Sequence, residues 1–348
     1  MIAEQPPQAP ARRRLPKWAP QAAGYTLSAA CLFWVLHGYD FTELRSHIGS
    51  LDWKWVALGV ALDLTVYVVH GWRWVTLLRP VKRLPFWRTV QSIYIGLFAN
   101  EVLPLRTGEL IRCYLLAHWN GVHLSVSIAS AAVERLIDGF WMVGFFLITA
   151  RYVKGLPKGL VDLVQVVGVL LLLAAGVLLF VVVHKHKAHA AIRESRWAAT
   201  LRHIVEGIHL MGQFRILARV VWLSLLYLVL QMLSYWALLR GDNFDLSLWI
   251  ASAVLIIVRF VTVIPNAPGN LGVFQAACVI ALKLFDVEVS TARTFSMVLF
   301  FFLTVPLLLG GAVATALTGL NLKEIRNRAQ EGVKTAHENP PSELGAEP

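Results

Sequence analysis

Two interruptions inside otherwise apolar sequence constrain this chain more than any other feature: Leu103-Pro104-Leu105-Arg106-Thr107-Gly108-Glu109 in the first half and Ile264-Pro265-Asn266-Ala267-Pro268-Gly269-Asn270 in the second. Each sets proline, glycine and polar groups between short hydrophobic segments. Lipid offers no hydrogen-bond partner to a broken backbone, so such breaks persist at membrane depth only where protein buries them or they line a wet cavity. One break per half is the pattern of a transporter built from two related repeats around a central site.

The surrounding sequence supports membrane depth. Hydrophobic residues make up 57% of the 348, and runs long enough to cross roughly 30 Å of hydrocarbon fall near 22–39, 55–78, 128–150, 160–183, 219–239 and 292–319. Between them lie interrupted pairs at 88–103 with 107–119 and at 246–264 with 270–285. The arms of the first pair are too short to cross comfortably and predict a hairpin that enters and leaves on one side. The first arm of the second pair nearly spans, so spanning and re-entrant forms both stay open there. The expected fold class is therefore an all-α polytopic membrane protein, with about six full spans plus two facing broken or re-entrant helical hairpins related as an inverted repeat.

A net charge of +11 would suggest nucleic acid in a soluble protein. Here the basic residues gather at the ends of apolar runs, which is how orientation is encoded, and nucleic-acid binding is set aside. With the N-terminus inside, nineteen Lys and Arg fall on the cytoplasmic side and eight outside, which predicts a multi-pass protein of the cell (inner) membrane with both termini cytoplasmic. Residues 1–20 form a Pro/Arg-rich cytoplasmic N-terminus, and the apolar stretch that follows lacks a convincing cleavage site, so it is expected as a retained first span. Residues 21–320 form a single transmembrane domain, and 321–348 a polar tail expected to be disordered. In the connection 184–217, Trp197, Leu201, Ile204, Ile208 and Met211 recur at helical spacing. That stripe fits a helix on the cytoplasmic interface touching anionic headgroups, or equally a helix packed under the bundle. His184, His186 and His189 read as part of a solvated basic stretch rather than a metal site, and Cys31, Cys113 and Cys278 as packing residues.

Charged residues inside spans cost roughly 2.5–3.5 kcal/mol each on insertion scales and persist where they pair or serve a pathway. Arg106, Glu109 and Arg112 flank the first break; Glu134, Arg135 and Asp138 share one span; Arg259 precedes the second break. Helices restarting at Thr107 and Asn270 offer free amides and a positive dipole end, with both residues competent N-caps. Arg106 and Arg259 add a planar fork suited to phosphate. Glu109 and Glu134 then either neutralise these arginines or meet a cationic headgroup. The competing reading is a set of structural ion pairs, with Glu134 and Asp138 on one helical face. Asp63 and Arg73 read as structural, Arg73 being near enough to a span end to snorkel. The substrate-binding candidates are Asn100, Arg106, Thr107, Glu109, Arg112, Glu134, Arg135, Asp138, Arg259, Asn266, Asn270 and Gln275; no catalytic residue, metal ligand or cofactor site is assigned.

The segments Asn100–Arg112, Val133–Gly139 and Pro268–Gln275 together resemble the lysylphosphatidylglycerol synthase transmembrane family of flippase-like membrane proteins, over roughly residues 20–320. The resemblance implies an integral protein that moves a membrane lipid between leaflets. Two departures stand out: Asn270 replaces a common glycine, and Gln275 replaces a common glutamate, removing one negative charge near the second break. No aminoacyl-transferase domain is expected in the polar stretch 321–348, so lipid synthesis is not. The expected function is translocation of an anionic or zwitterionic lipid or glycolipid by alternating access at a central polar cavity, without enzymatic activity. A membrane-embedded glycosyl- or phosphotransferase acting on a lipid, or a transporter of a soluble anion, are the alternatives. Homo-oligomerisation is left open.

Overall fold

The computed structural model describes residues 19–37, 47–103, 107–153, 156–183, 209, 211–262, 267–319, 324–328 and 330–331. The basic N-terminus, Arg106, Asn266, the three histidines at 184–189 and most of the stripe at 197–208 lie outside them. In chain order the principal helices are α1 (Ala19–Leu36), α2 (Trp53–Leu78), α3 (Phe86–Val102), α4 (Gly108–Asn120), α5 (Leu124–Tyr152), α6 (Lys158–Val183), α7 (Phe214–Gly241) and α8 (Leu248–Thr262). A 3-10 turn at Pro268–Asn270 follows, then α9 (Val273–Lys283) and α10 (Val289–Thr318). The protein is all-α, and helices stand at each of the six expected spans.

Four of these helices, α2, α6, α7 and α10, are long and apolar enough to cross a membrane. Helix α5, with 29 residues, reaches about 43 Å at 1.5 Å per residue, and before Arg151 in its last turn its charged residues are Glu134, Arg135 and Asp138. The arms around the breaks are shorter: 17 and 13 residues for α3 and α4, 15 and 11 for α8 and α9. All four fall below the ~20 residues a helical crossing needs, so the second pair is a broken hairpin like the first.

Helices α2 and α7 form the central antiparallel pair. The Asp52 amide donates to the Gly241 carbonyl at 2.9 Å, Ser234 Oγ donates to the Gly59 carbonyl at 2.8 Å, and Arg73 Nη1 donates to Ser224 Oγ at 3.0 Å. Residue numbers rise on one helix as they fall on the other. This pair fixes where each hairpin enters. Lys82, just past the end of α2, lies 3.5 Å from the Cβ position of Gly121 at the end of α4, so α3 and α4 enter and leave beside the C-terminus of α2. At the opposite end, Phe244 stacks edge-on against Phe295 at 5.3 Å, which brings the chain before α8 and the start of α10 together beside the N-terminus of α2. The hairpins therefore enter from opposite ends, as an inverted pair does. Their tips meet: a Cβ at Gly269 would lie 2.9 Å from a Glu101 carboxylate oxygen, and the 3-10 turn packs on α3.

Local chemistry holds each tip. In the first, Asn100 Oδ1 accepts from the Gly108 amide at 2.8 Å, and Gly108 sits so close to α3 that a Cβ would collide with the Gly96 carbonyl oxygen. A backbone oxygen cannot move aside as a side chain can. Gly108→Ala is accordingly expected to cost at least about 3 kcal/mol, the upper range for overpacking, read as a lowered melting temperature in detergent and a fall in monodisperse protein. In the second tip, Gly272 adopts φ +84 against the Ser28 carbonyl of α1, while Ser28 Oγ accepts from the Ala267 amide at 2.9 Å. Helix α1 is thereby attached to the break, and Arg293 of α10 donates to the Trp34 and His37 carbonyls at its C-terminal end, where cations suit the helix dipole.

Three expectations change. Thr107 precedes α4 without capping it; the Asn100 side chain satisfies the first amide instead. Asn270 does not start a helix: it has φ +54 within the 3-10 turn, and α9 begins at Val273 with the Gly272 amide held by Gln275 Oε1 at 2.7 Å. The chain beyond 321 is not wholly tail, because 324–328 is helical and Ile325 is buried with Ile95, Ile111 and Leu115 of the first hairpin.

Outside the spans, His47 pairs with the buried Asp242 at the end of α7. Burial outweighs this partner and pushes the Asp242 carboxyl up to about 6 from 3.8. A folded-state pKa above the unfolded one means that the folded state holds the proton more tightly, so its contribution is present below about pH 4 and is lost as pH rises to about 6. Wild-type protein should lose melting temperature relative to Asp242→Asn across that window, in paired melts at stepped pH.

Candidate functional site

Between the two hairpins, five helices bring their ionised and polar residues together. On α2, Asp63, Tyr67, His70 and Arg73 follow at spacings of four, three and three, which places them along one helical face. Arg73 lies five residues before the end of α2, yet it does not snorkel: it is fully buried and points inward. Its Nε donates to Glu134 Oε1 at 3.1 Å, its Nη1 and Nη2 donate to the two Asp138 oxygens, and Tyr227 lies beneath its guanidinium at 5.0 Å. The i, i+4 spacing of Glu134 and Asp138 on α5 is what lets one guanidinium engage both carboxylates.

Arg112 on α4 is the second buried cation. It donates through Nε to Glu109 Oε2 at 2.9 Å and through Nη1 to Glu134 Oε2 at 3.4 Å. Its guanidinium lies 4.6 Å over the ring of Trp74, whose indole donates to Ser130 at 2.8 Å. His70 Nε2 stands 3.0 Å from Arg112 Nη1 and 3.3 Å from Glu134 Oε2. The two contacts are alternatives: protonated, Nε2 donates to Glu134; unprotonated, it accepts from Arg112. Taking such charges out of water costs several kcal/mol per ion, recovered only when each meets a partner in good geometry. Glu134, fully buried and touching three positive or polar groups, is the junction of the cluster.

One side of the cluster is open. Arg135 donates to Glu109 Oε1 at 2.8 Å, with side-chain exposures of 44% and 41%, in contrast to the sealed Arg73 and Glu134. Exposed pairs of this kind contribute about 0–1 kcal/mol and exchange partners readily. Arg259, at the end of α8 beside the second break, completes the group. Its guanidinium stands 5.9 Å from the Tyr227 ring; it is coupled electrostatically to Asp63 and repelled by Arg135. Among the described residues, Arg73, Arg112 and Arg135 each contact a carboxylate within 4.0 Å, and Arg259 is the one arginine of the cluster without such a contact.

Of the sequence candidates, Glu109, Arg112, Glu134, Arg135, Asp138 and Arg259 converge here. Asn100, Thr107, Asn270 and Gln275 gather at the hairpin tips, where Thr107 Oγ1, Asn270 Oδ1 and Gln275 Nε2 are buried without hydrogen-bond partners among the described residues. Arg106 and Asn266 lie outside the described residues. Sequence reasoning missed His70, Ser224 and Tyr227, and assigned Asp63 and Arg73 to structure alone. The Asp63–Arg73 stripe was the available signal, since four titratable side chains on one face of an apolar helix need partners.

An all-helical, multi-span membrane protein with two opposed broken hairpins and an ionised cluster between them is the class these features define. The chain belongs to the lysylphosphatidylglycerol synthase transmembrane family, whose TM region matches residues 21–311; the family is membrane-associated and related to lipid handling. The chain is also similar to a UPF0104 membrane protein of Methanocaldococcus jannaschii, with 23% identity over 199 residues, covering 56% of this chain and 83% of the relative.

Proposed function

We propose that this protein translocates an anionic or zwitterionic lipid or glycolipid between leaflets, the headgroup passing through the cluster while the tails stay in the bilayer. The observation that carries this reading is Arg259: a guanidinium at membrane depth with no carboxylate in contact among the described residues, 5.9 Å from the Tyr227 ring and subject to electrostatic repulsion from Arg135. An anion seated between the two arginines would relieve their repulsion and take charge-assisted hydrogen bonds from both. The exposed Arg135–Glu109 pair would open to admit it, and Glu109 would then be free for an ammonium group of a zwitterionic headgroup. The sealed ion pairs of Arg73, Arg112, Glu134 and Asp138 hold the floor of the site in place. Rocking of the opposed hairpins about the α2–α7 pair would expose the site to each side in turn. The bias of basic residues supports cytoplasmic termini in the cell membrane.

The test is a leaflet-resolved assay in proteoliposomes of phosphatidylethanolamine and phosphatidylglycerol carrying tail-labelled nitrobenzoxadiazole lipids. Dithionite should quench label beyond the outer-leaflet share reached in protein-free vesicles, for labelled phosphatidylglycerol or phosphatidylethanolamine. Quenching equal to that of protein-free vesicles, with uptake of soluble inorganic phosphate, would instead identify a soluble-anion transporter.

A further inference from the structure

Helix α6 covers α5 over only part of its length. A Cβ on Gly139 of α5 would stand 3.0 Å from the Leu171 side chain, and one on Gly168 of α6 would stand 3.1 Å from Val143. The two helices therefore run antiparallel and in close contact from Gly139 onward, where Val143, Phe146 and Val164 are buried together. Arg135, Ala132 and Ile128 precede Gly139 by four, seven and eleven residues and share its face of α5, yet all three are exposed. In the register of those contacts, Ala174, Ala175 and Gly176 of α6 fall opposite Arg135, and a Cβ on Gly176 would meet no heavy atom within 4 Å among the described residues. A slot walled by small side chains thus opens between α5 and α6 before Gly139, on the side from which the first hairpin enters.

The open Arg135–Glu109 pair, 2.8 Å between its atoms, stands at the inner end of this slot. Two placements put it at membrane depth. Arg135 lies about 16 Å along α5 from Leu124 at 1.5 Å per residue, and Glu109 is in the first turn of α4, beside the hairpin tip rather than its mouth. Charges facing hydrocarbon are costly, so an open pair at this depth calls for a polar group beside it. The exposed residues that lead to the pair, Ile128 and Ala132, are apolar. A phospholipid meets both requirements in one molecule, whereas a soluble anion meets only the first. Building on the translocation reading, we infer that the slot is the lateral port through which a phospholipid is taken up from the leaflet on the first hairpin's side. Its phosphate takes a charge-assisted hydrogen bond from Arg135, and its acyl chains pass out between Ala132 of α5 and Ala174–Gly176 of α6. The contact of α5 with α6 from Gly139 onward closes the same passage toward the other leaflet, so the port serves one leaflet only.

The test places the photocrosslinker p-benzoylphenylalanine at Ala132 and, separately, at Leu173 on the outward face of α6, 63% exposed. Each variant is irradiated in proteoliposomes of phosphatidylglycerol and uncharged digalactosyldiacylglycerol, and the captured lipid is identified by mass spectrometry. Capture at Leu173 should follow the bilayer composition. Capture at Ala132 should favour phosphatidylglycerol by about tenfold, the factor that one hydrogen bond to a charged group supplies, and Arg135→Ala should return it to the Leu173 pattern. Ala132→Trp, which fills the slot from an exposed position, should slow translocation in the dithionite assay by about tenfold or more at an unchanged melting temperature, while Leu173→Trp keeps the wild-type rate. Should the Ala132 variants fail to fold, the same substitutions at Ile128 decide. Capture at Ala132 that matches Leu173 overturns the port. Selective capture combined with a wild-type rate in Ala132→Trp also overturns it, because lipid then rests in the slot but off the path. Absence of any lipid movement by wild type overturns the translocation reading and the uptake role with it, whereas selective capture in that case would still establish the slot as a phospholipid seat.

Discussion

Replacing Arg259 with alanine is expected to reduce lipid translocation by about 10- to 100-fold while leaving the protein folded. Hydrogen bonds to charged groups contribute about 1.5–3 kcal/mol, and each 1.4 kcal/mol is tenfold in an equilibrium constant. Stability should hold because, among the described residues, Arg259 contacts no carboxylate that its loss would strand in a contact pair, and its guanidinium stands 5.9 Å from the Tyr227 ring. Arg259→Lys keeps the charge but loses the planar fork, so it should recover part of the rate. The readout is the dithionite assay alongside a melting curve of the same preparation. A variant that loses its melting transition together with its activity would place Arg259 among the structural ion pairs instead.

Glu134→Ala should behave in the opposite way, with loss of the fold as the primary effect. The Glu134 carboxylate touches Arg73, Arg112 and His70, and its removal leaves two buried guanidinium groups short of a partner. Breaking a buried pair from one side typically costs 3–5 kcal/mol, and here two pairs share the broken end. The expected result is aggregation on extraction, or a melting transition far below that of wild type. Arg135→Ala, which breaks only the exposed pair with Glu109, should change stability by about 1 kcal/mol or less. The contrast between these two neighbouring positions on α5 separates the sealed floor of the site from its open side.

The breaks were legible because proline and glycine inside apolar sequence have few physical explanations, and the depth of the arginines followed from the same runs. Composition also gave the six spans and the orientation bias. Partner identity was not legible. Nothing local to Arg73 tells whether its long side chain reaches back to the interface or turns inward to Glu134; that depends on how α2, α5 and α7 are rotated. Caps failed for a similar reason: Thr107 and Asn270 are good cap residues in isolation, but Asn100, eight residues before Gly108, reaches the amide first, and Gly272 and Gln275 start α9 later than the break suggests. Tyr227, against which Arg73 and Arg259 both lie, reads in sequence as an unremarkable aromatic in an apolar span.

The account rests on a headgroup occupying the space between Arg259, Arg135 and Tyr227. Photocrosslinking with phosphatidylglycerol carrying a diazirine on the headgroup, followed by peptide mapping, tests it most directly. The account predicts adducts on peptides of α7 and α8, suppressed by excess unlabelled phosphatidylglycerol and lost in Arg259→Ala. Adducts confined to the lipid-facing surface of α6, with the same pattern in Arg259→Ala, would contradict it.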